Sequence, residues 1–361
     1  MRGRQRILTL VFALLALQLG SLVAPAYACG CGAMVPGRNQ QIGVDEETSA
    51  VRFNGRTEQI VMRFTVRGNA EQAAWIMPVP SRADVELGDP RLFDDLDWLT
   101  RPEEKHRYYF WPRSGDWPFA DVDGAGAAPL PGDSQGGVGV VGQERLGPFD
   151  VARLTATDPT ALSDWLKKNG FELSGDLKDA LRPYVDLKWE YVAVKLAPEE
   201  QGQLAGELDP LKIRFATHEL VYPMRLSRLA KTPQSLRLFV LADHRMEPQS
   251  DLGGDKPEVA FAGRITAPEG PVAALTDGEP AYLTEIEHEF PRPAKINSDH
   301  VLRVADTDTP YRKAYYTNRL LTVGDGIPVW LLTVGGVLAA AAGAVVAVRV
   351  RRRRAEVRST A

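Results

Sequence analysis

Apolar residues gather into long runs at only two places in this chain, one near each end. The first, Ile7 to Val23, follows Arg2, Arg4 and Arg6 and stops at Ala26-Tyr27-Ala28. A basic stretch, an apolar stretch and a small-x-small site, in that order, predict a secretory leader over 1–28. The second, Ile327 to Val348, is followed by Arg349, Arg351, Arg352, Arg353 and Arg354. As a helix its 22 residues reach roughly 33 Å, enough to cross a hydrocarbon core. The arginine cluster predicts that this end stays inside. The expected product is therefore a single-pass protein of the cell membrane, N-terminus outside and C-terminus cytoplasmic. Membrane lipid is its partner through the helix at 327–348. The basic tail, 349–361, is too short to fold.

Between the two runs the pattern is shorter in period. Ala50 to Phe53 alternates, Asn54-Gly55 signals a hairpin turn, and Ile60, Met62, Phe64 and Val66 return on one strand face. Ala73 to Val79 places Trp75, Met77 and Val79 on one face, with Pro78 and Pro80 marking a sheet edge. Leu92, Phe93, Leu96 and Leu99 recur at helical spacing behind Asp89-Pro90, which predicts a helix over 91–100. Asp158-Pro159 opens a second helix, with Leu162, Trp165 and Leu166 on one stripe and Gly170 past its end. A shorter helix covers 174–181. Strands are predicted over 149–154, 189–196, 211–216, 236–241, 259–265, 282–290 and 301–305. Strands outnumber helices and the two do not alternate, so the expected class is α+β, a mainly antiparallel sheet ectodomain with a few helices and one C-terminal transmembrane helix. The stretch 112–147 is rich in Gly and Pro and reads as a long loop. It divides the extracytoplasmic segment, 29–326, into two expected lobes, 29–111 and 148–326.

The opening Cys29-Gly30-Cys31-Gly32, the run from Ala50 to Val66 with Asn54-Gly55-Arg56-Thr57-Glu58-Gln59, and Trp75-Ile76-Met77-Pro78-Val79-Pro80 together resemble a family of bacterial secreted or membrane-anchored proteins known as a domain of unknown function. Glu219 to Leu226 also resembles its pattern. The resemblance covers most of 29–326 and implies an architecture and a compartment. It implies no catalytic residue.

Charge narrows the partners. The formal net charge of −4 is unevenly spread. Setting aside the leader arginines and the six in the tail from the 43 basic residues, and Glu356 from the 47 acidic ones, leaves 34 against 46 over 29–326, a net −12. An acidic ectodomain argues against nucleic acid, which requires a basic footprint.

Few residues suggest chemistry. Cys29 and Cys31, the two cysteines, would tend to oxidise outside the cytoplasm. They are candidates for a tight disulfide, for thiol-redox or metal chemistry, or, at Cys29, for lipid attachment, although Ala26 and Tyr27 make a poor lipoprotein signal. Glu285, Glu287 and Glu289 alternate and would share one strand face, as oxygen ligands for a divalent cation or as a solvated surface. Asp306 and Asp308 offer a weaker pair in a turn. His218-Glu219 opens like a zinc-protease helix, but Tyr222 stands where the second histidine belongs. His106, His244, His288 and His300 are scattered. Gly137 to Gly142 matches a dinucleotide fingerprint as text but lies in the long loop without flanking strand and helix. No cofactor is strongly indicated.

These features favour an extracytoplasmic binding or interaction module of the cell envelope, with an envelope protein as the expected partner. The alternative is an extracytoplasmic enzyme, either a hydrolase with a dispersed site or a thiol-redox protein using Cys29 and Cys31.

Overall fold

The computed structural model describes residues 27–29, 32–116, 145–146, 149–154, 159–196, 203–249, 251–324 and 326–359. The expected leader, but for its last two residues, and most of loop 112–147 lie outside them. In chain order, β1 (Tyr27–Cys29) and β2 (Gly32–Pro36) are followed by the long pair β3 (Ile42–Phe53) and β4 (Thr57–Gly68), then β5 (Ala73–Val79), β6 (Ala83–Leu87), helix α1 (Arg91–Thr100) and β7 (Glu103–Tyr109). Next come β8 (Arg145–Leu146), β9 (Phe149–Leu154), α2 (Pro159–Lys168), α3 (Gly175–Asp186), β10 (Glu190–Leu196), β11 (Gly206–Glu207), β12 (Leu211–Ala216), β13 (Leu220–Tyr222), β14 (Gln234–Ala242), β15 (Met246–Pro248), β16 (Glu258–Ile265), α4 (Gly270–Thr276) and β17 (Ala281–Phe290). The chain ends with β18 (His300–Val304), β19 (Tyr311–Arg312), β20 (Ala314–Leu320), β21 (Thr322–Val323), β22 (Ile327–Pro328) and α5 (Val329–Ser359). The class is α+β with mainly antiparallel sheet, as the pattern predicts.

Two compact units emerge, 1–101 with 139–313, and 102–138 with 314–361. Among the described residues the first holds two large sheets and a small three-stranded one, β13-β18-β15. Of the large sheets, one has six strands in the order β1-β2-β5-β10-β9-β8, and the other nine, β19-β16-β17-β14-β3-β4-β12-β6 with β11 also on β4. All pairings in them are antiparallel except β3 with β14, where Ser49 lies opposite Leu238. Strands from both expected lobes, 29–111 and 148–326, share both sheets: β10 pairs with β5, and β14 with β3.

Alternation explains the layering. Trp75, Met77 and Val79 of β5 and Val192 and Val194 of β10 meet Ile60, Met62, Phe64, Leu238 and Val240 of the larger sheet in one core. The intervening residues face outward and are covered by helices. Ala74, Ile76 and Ala193 pack on Leu162 and Leu166 of α2 and Leu177, Leu181 and Tyr184 of α3. Ala50, Phe239, Leu241 and Leu283 pack on Leu92, Phe93 and Leu96 of α1 and Val272 and Leu275 of α4. The unit is thus four layers deep, helices outside two facing sheets.

Local signals behave as the residues dictate. Asn54 Oδ1 accepts from the N–H of Arg56 at 3.1 Å and of Thr57 at 2.8 Å, and Gly55 takes φ +82°, which closes the β3–β4 hairpin. Asp89 Oδ1 accepts from Arg91 N at 2.9 Å at the start of α1. Pro78 sits opposite Tyr191 of β10, whereas β2 pairs with β5 only from Ala73 to Ile76. The proline therefore falls where β5 has a neighbour on one side alone, so its missing N–H breaks no second ladder.

In the second unit β7 and β20 form a two-stranded parallel ribbon, and β21 and β22 a short hairpin. Among the described residues one helix segment, Val329–Arg354, is long and apolar enough to cross a membrane. It starts two residues later than the apolar run, because Ile327 and Pro328 pair with Val323 and Thr322. The helix continues to Ser359, which corrects the expectation that the basic tail is too short to fold. Extending an existing helix carries no nucleation cost, and Arg and Ala are good helix formers.

Candidate functional site

The outer face of the nine-stranded sheet carries a groove. It lies between α1 and α4 and has a volume of about 490 Å³, within the usual range for ligand clefts. Trp98, Leu99, Ile265, Pro268, Pro271 and Val272 supply apolar surface, while Arg91, Asp95 and Glu269 supply charge. Trp98 is 65% exposed, unusual for a residue of its size, with Arg101 stacked 5.4 Å from its ring. Gly270 adopts φ +53° and lies so close to α1 that a β-carbon there would sit 3.3 Å from Asp95 Oδ2. A glycine at the start of α4 therefore leaves room for the Asp95 side chain of α1 beside it.

The walls are fixed from below. Leu92, Phe93 and Leu96 bury one stripe of α1, which leaves Asp95 and Trp98 on the open side. Arg312 donates to the carbonyls of Leu99 at 3.1 Å and Arg101 at 2.7 Å, satisfying the last turn of α1. Arg237 of β14 bonds Asp97 of α1 and, at 2.5 Å, Glu285 of β17. This pins the helix to the sheet. Side chains on a binding surface are useful only when such supports hold them still.

That bond also places the first of the alternating glutamates. Glu285, Glu287 and Glu289 share the outer face of β17, but each meets a different neighbourhood. Glu285 is buried under α1 against Arg237. Glu287 accepts from Lys313 Nζ at 2.6 Å. Glu289 is largely exposed; the desolvation of its partly covered side, followed by the charges of Glu287, Asp255 and Glu46, raises its pKa. Among the described residues no three of His, Cys, Asp and Glu converge as a metal site.

Cys29 lies opposite Gly32 in the β1–β2 ladder, and Cys31 lies outside the described residues. Arg349, Arg351, Arg352, Arg353 and Arg354 are exposed along the last turns of α5. His244 and Asp308 meet at 2.9 Å, and Asp308 also accepts from Arg245 N, which stabilises a surface turn.

The inter-sheet core hides polar residues that periodicity alone does not reveal. Ser49 Oγ and Tyr222 Oη are 2.6 Å apart, and Tyr222 donates to Glu47. All three are buried. His300, opposite Tyr222 in the β13–β18 ladder, meets His288 edge to face with centroids 5.5 Å apart. Burial, then His288, pulls the His300 pKa down to about 3, and burial lowers that of His288 too. Glu58 accepts from Val221 N at 3.1 Å, and burial pushes its pKa well up. Asp299 is a further buried node. It accepts from Tyr184 Oη at 2.5 Å, from Met224 N and Arg225 N, and from Arg225 Nε at 2.8 Å, tying α3 to the turn after β13. The sequence signal for these groups is their register: Glu58 continues the core face of Ile60 and Met62, and His288 that of Ile286 and Phe290.

A family model described as "Uncharacterized protein conserved in bacteria (DUF2330)" matches residues 25–303. No curated protein matches the chain. Among solved structures, the crystal structure of baculovirus P35 aligns over 75% of this chain and 97% of that one, at 9% identity and a TM-score of 0.29, a likeness too slight to carry an argument.

The buried titratable groups give opposite pH responses. The folded pKa of His300 lies below its unfolded value near 6.5, so the unfolded chain binds the proton first. Stability is complete above about pH 6.5 and falls toward pH 3, with His300 removing on the order of 3 kcal/mol by pH 4. Thermal melts in detergent should therefore show His300→Leu losing less stability than the wild type between pH 7 and pH 4. Glu58 has a raised folded pKa, so its cost appears as pH rises above about 4.5, where the unfolded carboxyl ionises. Glu58→Gln should melt higher than the wild type at pH 7.5 and lose that advantage near pH 4.

Proposed function

We propose a function for a chain that belongs to the family of uncharacterized proteins conserved in bacteria (DUF2330): it is a membrane-anchored binding module of the cell envelope, with its folded bulk outside the cytoplasm. The observation that carries this reading is the open groove between α1 and α4, whose large aromatic is exposed although the helices around it are firmly seated. An apolar floor with a few charges at its margin suits recognition of a protein segment. Asp95 and Glu269 favour a ligand with a cation beside its apolar anchor, and the acidic balance of 29–326 steers basic partners toward this unit. The arginines after the span support an inside C-terminus, which leaves residues 29–326 outside.

A photo-crosslinking amino acid at position 98, in living cells, tests the groove. The expected result is a discrete protein adduct that is absent when the same probe replaces exposed Lys178 and is lost when Asp95→Lys is added. Once that partner is purified, Trp98→Ala should weaken its binding by about 30-fold, the cost of a central aromatic anchor of about 2 kcal/mol. An identical adduct pattern at positions 98 and 178, or one indifferent to Asp95→Lys, would refute the reading.

A further inference from the structure

The second unit contains a ribbon that needs a cover. β7 and β20 pair in parallel from Ala314 opposite Glu103 to Leu320 opposite Tyr109. Parallel strands are ordinarily buried on both faces, and a two-stranded ribbon alone is marginal in water. Here both faces are largely open. Glu104, Tyr108, Tyr315 and Arg319 are exposed on one, and Glu103, Arg107, Tyr316 and Asn318 on the other. At the C-terminal end of β7 the chain adds Phe110 and Trp111, packed edge to face at 5.1 Å. Trp111 is 64% exposed and Tyr108 61%.

That aromatic end is held at the entrance to α5. Leu321 N donates to the carbonyl of Tyr109, and Val329 N to the carbonyl of Leu321, both at 2.9 Å. Two backbone hydrogen bonds therefore lead from the residue before Phe110 to the first residue of the helix. The hairpin between them exposes Val323 and Ile327. Cations accompany the aromatics: Arg113 stacks 4.2 Å from the Tyr109 ring, and exposed Arg319 lies opposite Tyr108.

We propose that this end of the ribbon is a collar seated in the lipid headgroup layer, with Tyr108, Phe110, Trp111, Val323 and Ile327 in the interface of the bilayer that α5 crosses. The height is set by this hydrogen-bonded connection: whatever surrounds the first turn of a spanning helix also surrounds a segment two hydrogen bonds away. Tyr and Trp concentrate in that layer because their rings have an apolar body and a polar edge. Arg113 and Arg319 can meet lipid phosphates while their stems lie along apolar surface. The bilayer thus covers the ribbon end and holds the segment at β7, distant in sequence, against the membrane entrance. The inference rests on α5 lying in a bilayer and is independent of the groove.

The test uses the full chain in nanodiscs made with phosphatidylcholine brominated near the headgroup end of its acyl chains, compared with unbrominated lipid. Tryptophan emission is recorded for the wild type and for Trp111→Phe, an exposed conservative change whose folding is checked by far-ultraviolet dichroism. The difference between the two spectra is the emission of Trp111. That difference should lose most of its intensity in brominated lipid. The quenching that remains in Trp111→Phe and disappears when Trp330→Phe is added is the residual quenching of Trp330, the second residue of α5. If that residual quenching is present and the Trp111 difference is unaffected by bromine, the collar is refuted, whether Trp111 faces water or another protein. If the residual quenching is also absent, the spanning helix itself fails and the collar with it.

Discussion

The parallel ladder between β3 and β14 is the seam on which the first unit depends. It joins β19, β16, β17 and β14 to β3, β4, β12 and β6, and every other pairing in that sheet is antiparallel. Its register sets both faces of the sheet. With Leu238 opposite Ser49, Leu236, Leu238 and Val240 turn inward beside Glu47, Ser49 and Val51, while Arg237, Phe239 and Leu241 turn outward beneath α1 and α4. A slip of one residue would exchange these sets, putting Arg237 in the core. The strands are far apart in sequence, so the closure entropy is met before the ladder forms, and the ladder needs the inter-sheet core behind it.

The same register explains why the core contains ionisable residues and why the groove exists. Glu47 and Ser49 face inward where Tyr222 can satisfy them, and the strand carrying Tyr222 pairs with the one that begins at His300. The small sheet β13-β18-β15 is therefore bound to the larger core through polar contacts as well as through Leu302 and Met246. On the other side, Arg237 reaches from the seam to Asp97 and Glu285 and fixes the angle at which α1 leaves room beside α4. Buried polar contacts of this kind add specificity of arrangement more than net stability.

Local chemistry was legible in the sequence, and long-range pairing was not. Asn54-Gly55 announced its hairpin, Asp89 the start of α1, and the alternation around Trp75 a core-facing strand, because each depends on residues within a few positions. Glu285, Glu287 and Glu289 were legible as one strand face, but their partners Arg237 and Lys313 arrive from distant elements. Glu58, His288 and His300 sit on core-facing registers that charge alone assigns to the surface. The loop at 112–147 suggested a division into 29–111 and 148–326, whereas the strands on either side of it interleave, since sheet partners are chosen by edge complementarity and not by nearness in the chain. The groove has no local signature in the sequence: Trp98 and Leu99 belong to one helical pattern, and Pro268 and Pro271 to a turn-rich stretch more than 160 residues later.

Through their ladder β3 and β14 make the first unit one cooperative structure. Native-state hydrogen exchange of the full chain in nanodiscs, followed by mass spectrometry of peptides covering 42–53 and 234–242, tests it most directly. Both segments should exchange only in the global opening, with the same free energy and the same dependence on denaturant. Exchange of 42–53 at a clearly lower free energy, while 234–242 keeps its protection, would show two separable lobes and contradict it.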